Sequence, residues 1–127
     1  MMKGVKFGYT TILHQPRLEL GLSINEYCFL DMVYNLSSNP NAAVVGWCYA
    51  SKETLGESLG LSSKSIFNFI PKMIDKELIE KHEHDSRYIR TTPLWYGTVV
   101  LFKHWKIAKN TYSEKMLHSV GSVCKKL

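Results

Sequence analysis

The chain has 127 residues, of which 45% are hydrophobic and 21% charged, with a formal net charge of +5. This is the size and composition of one folded domain, which excludes wholesale disorder. No uncharged apolar run approaches the roughly 18 residues of a membrane span, and Met1–Lys6 is not followed by the apolar block of a secretory signal.

Cys28, Cys48 and Cys124 form an odd, scattered set without a C-x-x-C pair. That pattern argues against a disulfide framework and against a cysteine zinc site. It points to a reducing, cytoplasmic setting. Positive charge is unevenly spread: three basic residues against three acidic in 1–50, seven against seven in 51–93, and six against one in 94–127. A surplus of this kind suits an anionic partner.

Residues 5–14 are β-branched and aromatic and read as a short extended arm or strand, ended by Pro16. Ser23-Ile24-Asn25-Glu26 is a capping box that opens a helix to about Leu36. Apolar residues run almost all the way round that helix. It needs cover on more than one side, from the C-terminal helices or from a second subunit. Residues 37–41 (Ser-Ser-Asn-Pro-Asn) form a loop, and Val44 to Tyr49 a short strand.

Ser51 caps a two-turn helix with Leu55 and Leu59 facing inward, and Gly60 ends it in a left-handed conformation. Ser62 caps the next helix, where Ile66, Phe69, Ile70, Met73 and Ile74 recur at helical spacing. Leu78–His84 and Arg87–Thr92 read as two strands around a tight Asp85-Ser86 turn. Residues 94–109 suit a strand over Val99–Phe102, but a helical stripe of Leu94, Leu101, Trp105 and Ala108 favours helix. A further helix starts at Thr111-x-x-Glu114 and ends near Ser119.

This order of helix, strand, short helix, Gly-Leu-Ser turn, second helix and hairpin resembles the winged helix-turn-helix family over Ser51–Lys81. From Leu22 to Lys81 the chain is similar to the helix-turn-helix domains of plasmid and phage replication initiators and replisome organisers, which open on Leu-Ser-x-x-Glu, here Leu22 to Glu26. Closely similar domains serve transcriptional regulators. The resemblance implies an α+β, mainly α fold. An N-terminal arm (1–21) precedes a winged core (22–93), and a C-terminal helical extension (94–127) serves packing or dimerisation. Two positions depart from the family. Pro71 falls inside the second helix and should kink or shorten it. Glu77 stands where the family usually has glycine.

The resemblance implies duplex DNA binding at an origin or operator. Ser63, Lys64, Ser65 and Asn68 would face the major groove, with Asn68 able to pair bidentately with adenine. Lys72 lies further along the same helix. Ser51 and Lys52 would hold a phosphate, and Lys81, Arg87, Tyr88 and Arg90 would meet backbone or minor groove from the wing. The competing view makes these a solvated polar face and the chain a protein–protein assembly module. The two views separate on whether Lys64, Asn68 and Arg87 share a basic face or are interrupted by Glu80, Glu83 and Asp85.

His82-Glu83-His84 places two imidazoles on one strand face but offers no third metal ligand. No nucleophile elbow, P-loop or dinucleotide fingerprint is present, so the sequence predicts neither an enzyme nor a cofactor. Trp95, Tyr96, Phe102 and Trp105 with Lys103, Lys106 and Lys109 read either as a stacking surface for single strands or, preferably, as a packing face. Together with the all-round apolar helix, they predict a homodimer through Tyr27–Leu36 or residues 94–120. Replication or transcription proteins are the expected further partners, with no membrane attachment.

Overall fold

Side-chain caps decide where the helices begin. The structure, a computed structural model, describes residues 8–41 and 44–103. Helix α1 (His14–Glu19) is followed by α2 (Ile24–Ser37), whose capping box is complete: the Glu26 amide donates to Ser23 Oγ at 3.1 Å, and the Ser23 amide to Glu26 Oε1 at 2.8 Å. Helix α3 (Lys52–Leu59) starts at the Ser51 cap and stops at Gly60, left-handed at φ 72°. Helix α4 (Ser63–Asp75) starts at the Ser62 cap. Strands β1 (Ile79–Lys81) and β2 (Ile89–Thr91) pair antiparallel with Glu80 opposite Arg90. Helix α5 (Pro93–Trp95) then runs into a π-helical turn, Tyr96–Val100, and one more helical stretch to residue 103.

A three-helix unit with a hairpin directly after its third helix is a winged helix-turn-helix. Helix α2 is its centre. Tyr27, Phe29, Leu30, Met32 and Val33 are buried by this chain alone. Tyr27 packs on Trp95 (ring centroids 5.2 Å apart) and Phe29 on Phe69 (5.7 Å). Most of the apolar circumference of α2 is thus covered within the chain by α3, α4, the hairpin and α5, and Ile24 is left exposed. Burial pushes the Asp31 carboxyl on α2 upward, and the Lys103 charge opposes that push.

Helices α3 and α4 meet at a turn that depends on Gly56. The Leu61 amide donates to the Gly56 carbonyl at 2.8 Å, and a Cβ on Gly56 would sit 2.5 Å from the Leu61 carbonyl oxygen. Only a residue without a side chain lets the turn close this tightly.

Several local expectations are revised. Pro16 does not end a strand: it lies in the first turn of α1, buried, where its missing N–H costs no hydrogen bond. Val44 to Tyr49 is not a strand beyond a single bridge, in which Cys48 and Ile89 exchange backbone bonds of 2.8 and 3.1 Å. Gly46 at φ 87° turns the chain away before the bridge. Pro71 does not shorten α4, which continues to Asp75. Pro71 and Phe67 are both exposed, so water can serve the Phe67 carbonyl that loses its partner. The hairpin strands are three residues each, and the loop is wider than Asp85-Ser86, with the Tyr88 amide donating to the Asp85 carbonyl at 3.0 Å.

Residues 94–103 are helical, as preferred from sequence, but Leu94 and Leu101 of the expected packing stripe are exposed. Trp95, Val99 and Val100 make the buried face instead. Trp105 and Ala108, the lysines at 106 and 109, and the helix expected from Thr111 lie outside the described residues.

Candidate nucleic-acid interface

One face of α4 is buried through Ile66, Ile70 and Met73. Helical geometry then fixes what the rest of the helix presents: Lys64, Phe67, Asn68, Pro71, Lys72 and, at its end, Asp75, all exposed. Lys64 and Asn68, one turn apart, stand side by side without a hydrogen-bond or ion-pair partner among the described residues. Ser63 is half-buried at the first position of the helix. The Ser65 amide donates to the Ser62 cap at 3.2 Å, and its hydroxyl lies 3.1 Å from Ser62 Oγ, so Ser65 serves the helix start.

Lys72 turns away from this group. Its Nζ lies 2.7 Å from Glu26 Oε2, pinning α4 to the capping box of α2. Burial pushes the Glu26 carboxyl up, but the Lys72 ammonium and the Ser23 amide and hydroxyl together hold it below its ordinary value.

Beside α4, the start of α3, the recognition face and the wing enclose an open cavity of about 450 Å³. Ser51, Lys52, Arg87 and Tyr88 all line it, so four residues drawn from separate stretches of sequence converge here. The Ser51 hydroxyl is occupied: it accepts from the Thr54 amide at 3.1 Å and donates to Thr54 Oγ1 at 2.9 Å. The remaining first-turn amides of α3 have no helical acceptor and point outward, as at any helix start. Lys52 has no ion-pair partner among the described residues.

The wing disposes of its charge differently. Arg87 grips Asp85 with two bonds, Nε at 3.0 Å and Nη2 at 2.8 Å. That contact and the Arg87 amide hold the Asp85 carboxyl down at about 2, so the pair stays ionised at any physiological pH. Arg90 lies 3.4 Å from Glu80 Oε2, and its guanidinium sits 4.1 Å above the Trp47 ring. His82 packs edge-on against Trp47 (4.8 Å) and Tyr88 (5.7 Å), which braces the wing against the loop before α3. Lys81 alone of the expected wing cations is exposed without an ion-pair partner among the described residues.

His82 and His84 have ring centroids 6.0 Å apart, and His82 Nδ1 accepts from the His84 amide at 3.0 Å. Among the described residues no group of three or more His, Cys, Asp or Glu is placed to hold a metal ion. No helix among them is long and apolar enough to cross a membrane.

Sequence reasoning passed over Phe67 and Tyr49, which are 55% and 50% exposed and line the same cavity. The signal was present in the helical spacing, because Phe67 is the one large apolar residue of α4 that lies off the buried stripe.

No family model and no curated protein matches the chain. Among solved structures it is similar to a multiple antibiotic-resistance repressor (MarR) from Listeria monocytogenes 4b F2365. The TM-score is 0.47 at 17% identity, over 88% of this chain and 77% of that one. So loose a likeness leaves the winged helix to stand on its own element order and geometry.

Proposed function

We propose that this chain is a non-enzymatic, duplex DNA-binding regulator that docks mainly through α4 and the start of α3. The observation that carries this reading is the outward face of α4. Lys64 and Asn68 stand there unpartnered among the described residues, and their neighbour Phe67 lines the same cavity as Lys52 at the start of α3. Lys64 and Lys52 suit phosphates, and Asn68 suits an adenine edge. Wing contacts contribute less, because Arg87 and Arg90 are already matched by Asp85 and Glu80.

Transcriptional control is favoured over replication initiation. The Leu22-to-Glu26 signature behind the replication reading is accounted for by helix capping, which any such domain requires. A homodimer is part of the proposal. Its surface is the exposed Leu94, Tyr96 and Leu101 rather than α2, whose apolar residues, Ile24 excepted, pack within the chain.

The matched wing also favours a second reading, a winged-helix module for protein assembly. Fluorescence anisotropy with a labelled random-sequence duplex across a salt series separates the two. Lys52, Lys64 and Lys81 as phosphate contacts give a log–log slope of roughly −3 per protomer. Absence of binding even at low salt ends the DNA reading and leaves the assembly module.

A further inference from the structure

The exposed ring of Phe67 is the feature that phosphate contacts and Asn68 leave unused. Ile66, Ile70 and Met73 turn inward, whereas Phe67 projects from the flank of α4, about 100° round from Ile66, three residues after Lys64 and one before Asn68. With Tyr49 it makes an apolar wall of the cavity, at whose opening stand Lys52, the carboxylate of Glu53 and an Arg87 already bound to Asp85. An occupant that offers an apolar group to Phe67 and negative charge to Lys52 and to Lys64 on α4 suits this face. Duplex DNA offers both, since thymine is the one base that presents a methyl group in the major groove, between phosphate-lined edges. A second copy of this chain fits poorly. A two-fold contact centred on Phe67 would gather two copies each of Lys64 and Lys52 around one small apolar patch, with like charges facing one another.

We propose that Phe67 reads the C5-methyl group of a thymine beside the adenine taken by Asn68, so that the recognition helix selects A·T pairs by methyl contact as well as by hydrogen bonding. This rests on the DNA-binding function proposed above.

The test begins with selection of bound duplexes from a random pool. Each thymine of the selected duplex is then replaced in turn by deoxyuridine, which removes only the methyl group, and affinity is read by anisotropy. The selected duplexes are expected to share a fixed A·T pair. Wild type should lose about fourfold in affinity at one thymine, the worth of burying one methyl-sized group. Phe67→Ala should bind the thymine and deoxyuridine duplexes equally, and Phe67→Leu should keep part of the difference. Phe67 is exposed, so both variants should unfold at the wild-type midpoint.

Three results overturn the inference and leave DNA binding intact. Methyl removal costs wild type nothing at every position, or it costs Phe67→Ala as much as wild type, or Phe67→Ala instead dissociates a dimer in sedimentation. Failure of wild type to bind any duplex overturns the function and this inference together.

Discussion

The recognition helix and the wing both present cations, yet Lys64 on the helix is free among the described residues whereas two of the three wing cations are matched. Lys64 has no carboxylate within reach among the described residues, whereas Arg87 has Asp85 two residues away at a turn, and Arg90 has Glu80 directly across the hairpin. Cross-strand and turn neighbours meet because backbone geometry brings them together. Availability of a charge is thus decided by local pairing, and a net charge of zero over residues 51–93 conceals one open face and one closed one.

The most severe way to break this contrast is to remove the platform under the helical side. Gly56→Ala forces a Cβ onto the Leu61 carbonyl oxygen and should cost about 3 kcal/mol, seen as a lowered midpoint in urea unfolding. A midpoint unchanged from wild type would mean that the α3–α4 turn is not held as described.

Next come the charges themselves. Lys64→Ala should weaken binding about tenfold on any duplex and make the salt slope shallower by about 1. Arg87→Ala should cost less than about twofold, since its charge is already satisfied. Asp85→Asn sharpens the point: it releases Arg87 and should steepen the slope by about 1. Equal losses for Lys64→Ala and Arg87→Ala would erase the distinction between helix and wing.

Glu26→Ala has a smaller effect, about 1–2 kcal/mol at neutral pH, because it removes one arm of the capping box and the anchor of Lys72. The Glu26 carboxyl titrates lower folded than unfolded. Its contribution is therefore present above the unfolded value and fades as pH falls through the folded one. Unfolding midpoints of wild type and variant should converge in acid. Glu77→Gly has the mildest effect and the opposite sign. Glu77 is held at φ 60°, and glycine there should raise stability by about 1 kcal/mol or less, measured by thermal unfolding.

What was legible in sequence follows the range of the interaction. Ser23, Ser51, Ser62 and Gly60 set helix ends through bonds to residues a few positions away, so local spelling announced them. Glu77 was visible as a departure from a glycine position, and its left-handed φ is the physical content of that departure. The Lys72–Glu26 pin joins residues on different helices and left no trace in either neighbourhood. Val44 to Tyr49 has strand composition, but Gly46 and the single Cys48–Ile89 bridge limit its pairing. At the interface, the residue types facing out of α4 followed from its buried stripe. The silencing of Arg87 and Arg90 required knowing the hairpin register.

The π-helical turn at Tyr96–Val100 has a consequence for the residues that follow it, Leu101 to Lys103. Such a turn holds one residue more than an α-helical turn needs. Wound instead as a regular α-helix with every residue kept, the same stretch would add about 100° of rotation for each residue beyond. Leu101 and Lys103 would then swing round the helix axis relative to Trp95, which stays anchored against Tyr27. The turn acts as a phase setter: it fixes which side of the helical residues 101–103 faces outward, while the buried anchor before it stays in place.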